Sequence, residues 1–178
     1  PDTSTTFPTW PDPIARKPTA MDHAEPAYPS SPYGKRNLDF NSQLIAVNSG
    51  TRHRRVIDAI TAQATKLQYV QRAIATEIRG RLGAKIAEIM PGDMDKVFFT
   101  LGGAEAIENA IKLVRHATGR HKILARYRAY HGATLGAMTL TGDPRRRAND
   151  AGIVGVVRYP APHPRGWAAP PPAPPAGP

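Results

Sequence analysis

The chain has 178 residues, no cysteine, and a formal net charge of +10 from 24 Lys and Arg against 14 Asp and Glu. This length is enough for one ordinary domain with its own core, and the lack of cysteine excludes disulfides and cysteine-ligated metal sites. No run approaches the roughly eighteen apolar residues of a membrane span, and the first residues do not resemble a signal peptide. We therefore predict a cytoplasmic protein that has no metal site and does not contact a membrane.

Prolines indicate how the chain is divided. Eight of the nineteen lie before Tyr33 and nine lie from Pro160 onward. Proline lacks an N–H and favours extended backbone, so dense proline is typical of arms and linkers. We predict an irregular proline-rich arm at 1–32 and a disordered Pro/Ala-rich tail at 161–178. Two folded segments, 33–92 and 93–160, lie between them.

The first folded segment is predicted to contain two helices. Residues 36–47 are predicted to be extended chain. Apolar residues then recur at helical spacing over 56–67 and again over 74–89. Pro91 and Gly92 follow the second run, and this pair is a typical helix stop.

The second folded segment alternates strands and helices. Residues 96–100, 122–127 and 154–159 have strand-like composition. Between the first two, apolar residues line one face of a predicted helix that begins after Gly102-Gly103 and closes near Gly119. A short helical stretch follows Gly132, and Gly142-Asp143-Pro144 is predicted to be a turn. The alternation predicts an α/β fold, a mainly parallel sheet with crossover helices.

The turn from strand to helix at Gly102-Gly103 is typical of a phosphate site. Glycine lets the backbone turn sharply and approach a ligand, and the helix start offers unpaired N–H groups with a positive dipole end. The pattern lacks both the Gly-Lys-Ser/Thr of a Walker loop and the third glycine of a dinucleotide fingerprint. Glu105 and Glu108 lie in the first turns, where satisfying the helix dipole explains them as well as any function does.

Tyr130-His131-Gly132 is the second candidate feature. It follows the second strand, so parallel strands would bring it to the same sheet edge as Gly102-Gly103. An aromatic side chain at that edge could stack on a flat cofactor. Such a Tyr-His pair after a strand is, on its own, more often structural.

Together the two features resemble a known family. The block FFTLGGAEAIENAIKLVRHATGRHKILARYRAYHGATLGAMTLTGDPRR is similar to class III aminotransferases, which are pyridoxal 5'-phosphate (PLP) enzymes of fold type I. A weaker resemblance covers residues 25–160. It implies that 93–160 begins the PLP-binding large domain of that fold. It also implies that Gly103 and Ala104, beside Gly102, hold the cofactor phosphate, although the family often has a hydroxyl residue at Ala104.

The resemblance also assigns the remaining site residues. The aromatic residue that stacks on the cofactor ring matches Tyr130, and its neighbour matches His131. The segment with Gln43 and Leu44 matches the substrate side. The implied activity transfers an amino group from an amine or amino acid to a 2-oxo acid, in a family that forms homodimers.

The covalent lysine and the acid that holds the pyridine nitrogen lie, in that family, downstream of the last similar residue. None of the seven lysines of this chain matches that lysine. The resemblance therefore implies a truncated N-terminal part, without catalytic residues of its own and inactive by itself.

Two alternatives remain open at this point. One is a non-catalytic basic protein that binds a polyanion through the cluster Arg145–Arg147. Nucleic acid is a less favoured partner, because the charge is spread out and no basic surface with interleaved aromatic residues is evident. The other alternative is a degenerate subunit that pairs with an intact aminotransferase.

Overall fold

The computed structural model describes residues 20–149 and 152–160. The predicted arm at 1–32 is thus described only from residue 20, and the predicted tail at 161–178 lies outside the described residues. The chain divides into two compact units, residues 1–96 and 97–178. The boundary expected between residues 92 and 93 stays a prediction.

The first unit begins with a hairpin of two short antiparallel strands, β1 (His23–Glu25) and β2 (Tyr28–Ser30). The prediction of irregular chain up to residue 32 is therefore wrong for this part. Pro26 and Pro29 lie at positions where the backbone accepts a hydrogen bond and does not have to donate one. The Pro26 carbonyl, in the turn, accepts from the Thr51 amide at 2.9 Å, and the Pro29 carbonyl accepts from the Asn37 amide at 2.9 Å. Proline is tolerated at such positions because no N–H is required of it.

Residues 36–47, predicted to be extended, contain a helical turn at Ser42–Ile45 instead. Its four φ angles lie between 51° and 66°, in the left-handed region that side chains rarely adopt. The Asn41 side chain accepts from the Leu44 amide at 3.1 Å and offers the backbone a local partner. A single side-chain hydrogen bond of this kind competes with extended structure and leaves no periodic signal.

Two helices follow, α1 (Arg54–Lys66) and α2 (Glu77–Ile89), which confirms both helices that the apolar spacing predicted. Helix α2 ends before Met90 and Pro91, as expected. Neither helix contains a buried residue. Their apolar faces remain open, with Ile60 64% and Ile89 70% exposed.

The second unit contains α3 (Gly103–Thr118), β3 (Ile123–Arg126), α4 (Leu135–Leu140) and β4 (Val156–Tyr159). The predicted helix after Gly102 and two of the predicted strands are thus confirmed. Helix α3 ends at Thr118 and is capped by Gly119, whose φ of 65° is left-handed and whose amide donates to the Arg115 carbonyl. A 3₁₀ helix at Pro144–Asn149 continues the predicted turn.

Strands β3 and β4 form a parallel pair, with Ile123 opposite Val156 and Arg126 opposite Tyr159. Residues 96–100 pair with no strand in the part of the chain that the structure describes, so the strand predicted there is wrong for this structure. Composition favours extended backbone, but a strand also needs a neighbour for its N–H and C=O groups.

A small core holds the second unit together. Helix α3 contributes Ile111 and packs with α4 and β3. Of the residues that the structure describes, the buried apolar ones are Ile111, Ala125, Ala137 and Leu140. The Arg115 guanidinium joins the segments that precede the two strands, because it donates to the His121 carbonyl at 3.2 Å and the Val154 carbonyl at 2.7 Å. None of the described helices is long and apolar enough to cross a membrane.

Candidate functional site

The start of helix α3 differs in one respect from what Gly102-Gly103 suggested. Gly102 has φ −171°, which is ordinary extended backbone, and Gly103 does not have a positive φ. A sharp turn therefore does not require glycine here, which corrects that part of the sequence argument. The two glycines instead leave space, because a Cβ built on either one meets no atom within 4 Å. A ligand can reach the backbone at this point.

Three backbone amides at the start of α3 have no partner within the described ranges. Among the described residues, the N–H groups of Gly103, Ala104 and Glu105 have no hydrogen-bond acceptor, whereas the Ala106 amide donates to the Gly102 carbonyl at 3.0 Å. The Glu105 carboxylate accepts from the Leu101 amide at 2.9 Å and so orders the preceding turn. A helix of sixteen residues whose first N–H groups are unpaired has a partial positive charge at its N-terminus, which favours an anion there.

The structure brings the second sequence feature against this helix start. Gly132 has φ 135°, and a Cβ built on it would lie 2.5 Å from the Ala104 Cβ and 3.2 Å from the Ala137 Cβ. Only glycine fits so close to the first turn of α3. The loop of Tyr130, His131 and Gly132, which we call the aromatic loop, is therefore in contact with α3 through Gly132 and Ala104.

Buried hydrogen bonds hold the aromatic loop in place. The His131 amide donates to the Thr141 hydroxyl oxygen at 3.0 Å, and this hydroxyl donates to the Ala137 carbonyl at 2.9 Å. Thr141 is fully buried. The Gly142 amide donates to the Ala129 carbonyl at 2.8 Å. The loop backbone is thus fixed, while the Tyr130 side chain stays 50% exposed.

The basic cluster Arg145–Arg147 is tied to the same loop. The Arg145 guanidinium carbon lies 5.4 Å from the centre of the Tyr130 ring, within range of a cation–π contact. Two nitrogens of Arg145 donate to the Asp143 carboxylate at 2.8 and 3.0 Å. Hydrogen bonds from Arg145 lower the pKa of Asp143 to about 2, and Asp143 in turn raises the pKa of Arg145. Part of the cluster's charge is therefore compensated within the unit.

Glu108 has a role that the sequence did not reveal. Its Oε1 accepts from the Thr134 hydroxyl at 2.6 Å and from the amides of Gly136 and Ala137 at 2.8 and 3.1 Å. It therefore caps helix α4, rather than only satisfying the dipole of its own helix. The Thr134 hydroxyl is the main cause that lowers the pKa of Glu108, against the opposing effect of burial. No local pattern marks this role, because the partners lie 26 to 29 positions away.

Gln43 and Leu44, predicted for the substrate side, lie in the left-handed turn of the first unit and are exposed. The backbone amide of Gln43 donates to the Asp39 carboxylate at 3.3 Å. Hydrogen bonds from the side chain and the backbone of Gln43 lower the pKa of Asp39. Their role stays a prediction. Within the described ranges, no group of three or more His, Cys, Asp and Glu side chains could hold a metal ion.

Comparison with known proteins identifies close similarities. The family described as aminotransferase class-III matches residues 14–167. Acetylornithine aminotransferase of Methanosarcina mazei is 37% identical over 126 residues, which cover 71% of this chain and 31% of that protein. The 5-aminovalerate aminotransferase of Pseudomonas putida is 37% identical over 111 residues, covering 61% of this chain and 26% of that protein. The chain thus spans roughly a third or less of the length of these two relatives.

A solved structure has the same fold over the same part. Taurine:2-oxoglutarate aminotransferase of Bifidobacterium kashiwanohense, in complex with PLP and glutamate, superposes with a TM-score of 0.84 and 34% identity. The match covers 90% of this chain and 36% of that one. The α/β architecture described above is therefore part of the fold of PLP transaminases, as the fold-type I resemblance predicted.

Proposed function

Because this chain belongs to the class III aminotransferases, we propose that it is part of an enzyme that transfers an amino group to a 2-oxo acid with PLP. The observation that carries this proposal is the contact between Gly132 and Ala104, which joins the aromatic loop to the start of α3, the proposed anion site. An anion site beside an exposed aromatic ring suits a cofactor that has both a phosphate and a flat ring.

The residues present fit that cofactor. The amides of Gly103, Ala104 and Glu105 would donate to the phosphate, and Gly102 and Gly103 leave room for it. Ala104 offers no hydroxyl, so these contacts would come from the backbone. When bound, PLP would supply an aldehyde group that takes up the amino group from one substrate and passes it to the other, and a ring that withdraws electrons during the transfer.

The aromatic loop would orient the ring. The Tyr130 side chain is half exposed, while the hydrogen bond from the His131 amide to the Thr141 hydroxyl fixes the backbone of the loop. An aromatic side chain on a fixed loop can stack on a cofactor ring with little loss of conformational entropy. We assign Tyr130 to stacking and His131 to the rim of the same site.

The amino donor is proposed as an amine or amino acid. Acetylornithine, 5-aminovalerate and taurine, which name three similar enzymes, are all amines that also carry an acidic group. At neutral pH these donors are zwitterions without net charge, so the chain's net charge of +10 would attract the anionic 2-oxo acid rather than the amino donor. We place Gln43 and Leu44 on the substrate side, and we propose a cytoplasmic homodimer as the active form.

The 178 residues tested by themselves should not catalyse transamination. None of the seven lysines matches the lysine that bonds covalently to PLP in this family. No residue of this chain is matched to the acidic residue that holds the pyridine nitrogen of PLP. Loss of the covalent nucleophile typically lowers rates by several orders of magnitude. The comparisons lend no support to a polyanion-binding protein or to a degenerate partner subunit.

The activity can be tested with a chimera. We would join residues 1–160 to the carboxyl-terminal part of the Methanosarcina mazei acetylornithine aminotransferase and assay amine-dependent conversion of 2-oxoglutarate with PLP. Turnover by the chimera, and none by the 178-residue chain, is the expected result. A folded chimera with neither turnover nor PLP absorbance would contradict the proposed function.

The phosphate assignment can be tested in the 178-residue chain itself. Gly103→Val would fill the space in front of the α3 amides and should abolish PLP binding measured by titration. The matched control is Gly83→Val, since Gly83 is also a helical glycine with nothing within 4 Å of its Cβ position. Equal PLP affinity in the two variants would remove Gly103 from the site.

A further inference from the structure

We propose that Glu108 is a positioning residue, which holds the aromatic loop at the start of α3 by capping helix α4. The inference rests on the proposed function, because it gives the aromatic loop the task of contacting the cofactor. The similarities above assign no role to this glutamate, and its own contacts carry the argument.

Helix α4 depends on Glu108 for its cap. Thr134 occupies the N-cap position but makes no side-chain hydrogen bond to its own helix. The Thr134 hydroxyl donates instead to Glu108 Oε1, which also accepts from the amides of Gly136 and Ala137. A carboxylate at a helix start is stabilised by the amides and by the helix dipole. One oxygen from α3 thus does what a local cap usually does.

Close packing supports the same connection. A Cβ built on Gly136 would lie 2.3 Å from Glu108 Oε2 and 3.0 Å from the Ile111 Cδ1. Gly136 is buried and leaves no space for a side chain between the two helices. The carboxylate therefore sits in a fixed position at the contact between α3 and α4.

Ala137 links this cap to the aromatic loop. Its amide donates to Glu108, its carbonyl accepts from the Thr141 hydroxyl, and its Cβ lies 3.2 Å from the Cβ position of Gly132. The Thr141 hydroxyl oxygen in turn accepts from the His131 amide at 3.0 Å. Ala137 and Thr141 are both fully buried. Contiguous contacts therefore run from Glu108 through Ala137 and Thr141 to His131, beside Tyr130.

Glu108 acts on the loop and not on the phosphate end. In the described part of the chain its hydrogen bonds go to residues 134, 136 and 137, and none goes to the amides of Gly103, Ala104 or Glu105. Losing Glu108 should therefore weaken contacts to the cofactor ring and spare contacts to an isolated phosphate. That difference separates a positioning role from general destabilisation.

The test compares Glu108→Ala and Glu108→Gln in the full 178-residue chain, with Glu88→Ala as the matched control. Glu88 is also a helical glutamate, but among the described residues its ion pair is with Lys85 at the surface of α2. The amide of Glu108→Gln keeps one acceptor oxygen and the same shape, so this variant remains informative if the alanine variant does not fold.

The first readout is hydrogen exchange of the Gly136, Ala137 and His131 amides. Loss of a charged acceptor should speed exchange at all three by at least about tenfold in Glu108→Ala. Glu108→Gln should restore most of the protection, and Glu88→Ala should change none of it. Faster exchange at Gly136 and Ala137 with unchanged exchange at His131 would overturn the proposal, because the cap would then be local to α4.

The second readout compares the dissociation constants of PLP and inorganic phosphate. We expect Glu108→Ala to weaken PLP binding about tenfold and to leave phosphate binding within about twofold. The positioning role would be overturned if Glu108→Ala weakened the binding of PLP and of phosphate equally, or if it weakened the binding of neither. If the unsubstituted chain bound neither probe, the phosphate assignment at the start of α3 would fail in this chain, while the chimera would still test the proposed function and the His131 exchange rate would still decide whether Glu108 holds the loop.

Discussion

Helices α1 and α3 were predicted by the same apolar periodicity, and both form, but their surroundings differ. Helix α3 buries Ile111 in a core with Ala125 and Leu140, whereas α1 contains no buried residue. The apolar face of α1 is as regular as that of α3 but has nothing to cover it within the described part of its unit. The difference teaches that periodicity predicts a helix and its apolar face, while stabilisation by burial depends on neighbours.

The polar contacts of helices α1 and α2 differ from those of the second unit in the same way. Helices α1 and α2 carry surface ion pairs such as Lys66 with Glu77 and Lys85 with Glu88, which typically contribute about 0–1 kcal/mol. In the second unit, side chains of Glu108, Arg115 and Thr141 bond to backbone groups of distant segments. Such bonds favour one arrangement of the helices and strands. In any other arrangement these backbone groups would have no hydrogen-bond partner, which raises the free energy.

The largest expected effect is a cavity in the second unit. Ile111→Ala should lower the free energy of unfolding by about 2–5 kcal/mol, since it removes buried methyl and methylene groups. Ile60→Ala in α1, at a side chain that is 64% exposed, should change it by less than about 0.5 kcal/mol. Urea unfolding followed by circular dichroism measures both. Equal effects would mean that the face of α1 is covered after all, and the comparison would no longer hold.

A smaller effect is expected at two glycines with positive φ. Gly132→Ala would put a Cβ 2.5 Å from Ala104, and such overpacking typically costs about 1–3 kcal/mol beyond the backbone strain. Gly34→Ala in the first unit, at φ 78° with nothing within 4 Å, carries only the strain of about 1 kcal/mol. The midpoint temperature of thermal unfolding should therefore be well below that of Gly34→Ala in the Gly132→Ala variant. PLP binding should be lost only in the Gly132 variant, and its retention there would argue against the aromatic loop.

The smallest effect concerns pH. The pKa of Asp143 is lowered from 3.8 to about 2, so its contribution is fully present above about pH 4 and is lost as the pH falls toward 2. We expect hydrogen exchange around Arg145 to rise, relative to the intrinsic rate, between pH 4 and pH 2. Asp143→Asn should remove this dependence. The matched variant is Asp58→Asn in α1, whose partner Arg54 lies on the same helix. Its effect should stay within α1, and a change around Arg145 in this variant would contradict the assignment.

Helices α1, α2 and α3 could be predicted from the sequence because their hydrogen bonds and end signals are local. Apolar spacing marked each one, and Pro91 and Gly119 follow two of their ends. The strands around Ile123 and Val156 were also predicted, but their parallel pairing depends on the two meeting in space. Residues 96–100 have equally strand-like composition and form no strand among the described residues, because pairing is a property of two segments.

The candidate site shows the same division. The sequence by itself determined the local patterns on which the candidate site was predicted, Gly102-Gly103 before a helix and Tyr130 after a strand. The tertiary structure decided that Gly132 lies against Ala104 and that Glu108 caps a helix whose first turn is 28 positions away. Hydrogen bonds within a helix join residues three or four positions apart and leave a periodic pattern in the sequence. Contacts between distant segments leave none, because they depend only on where the chain brings those segments together.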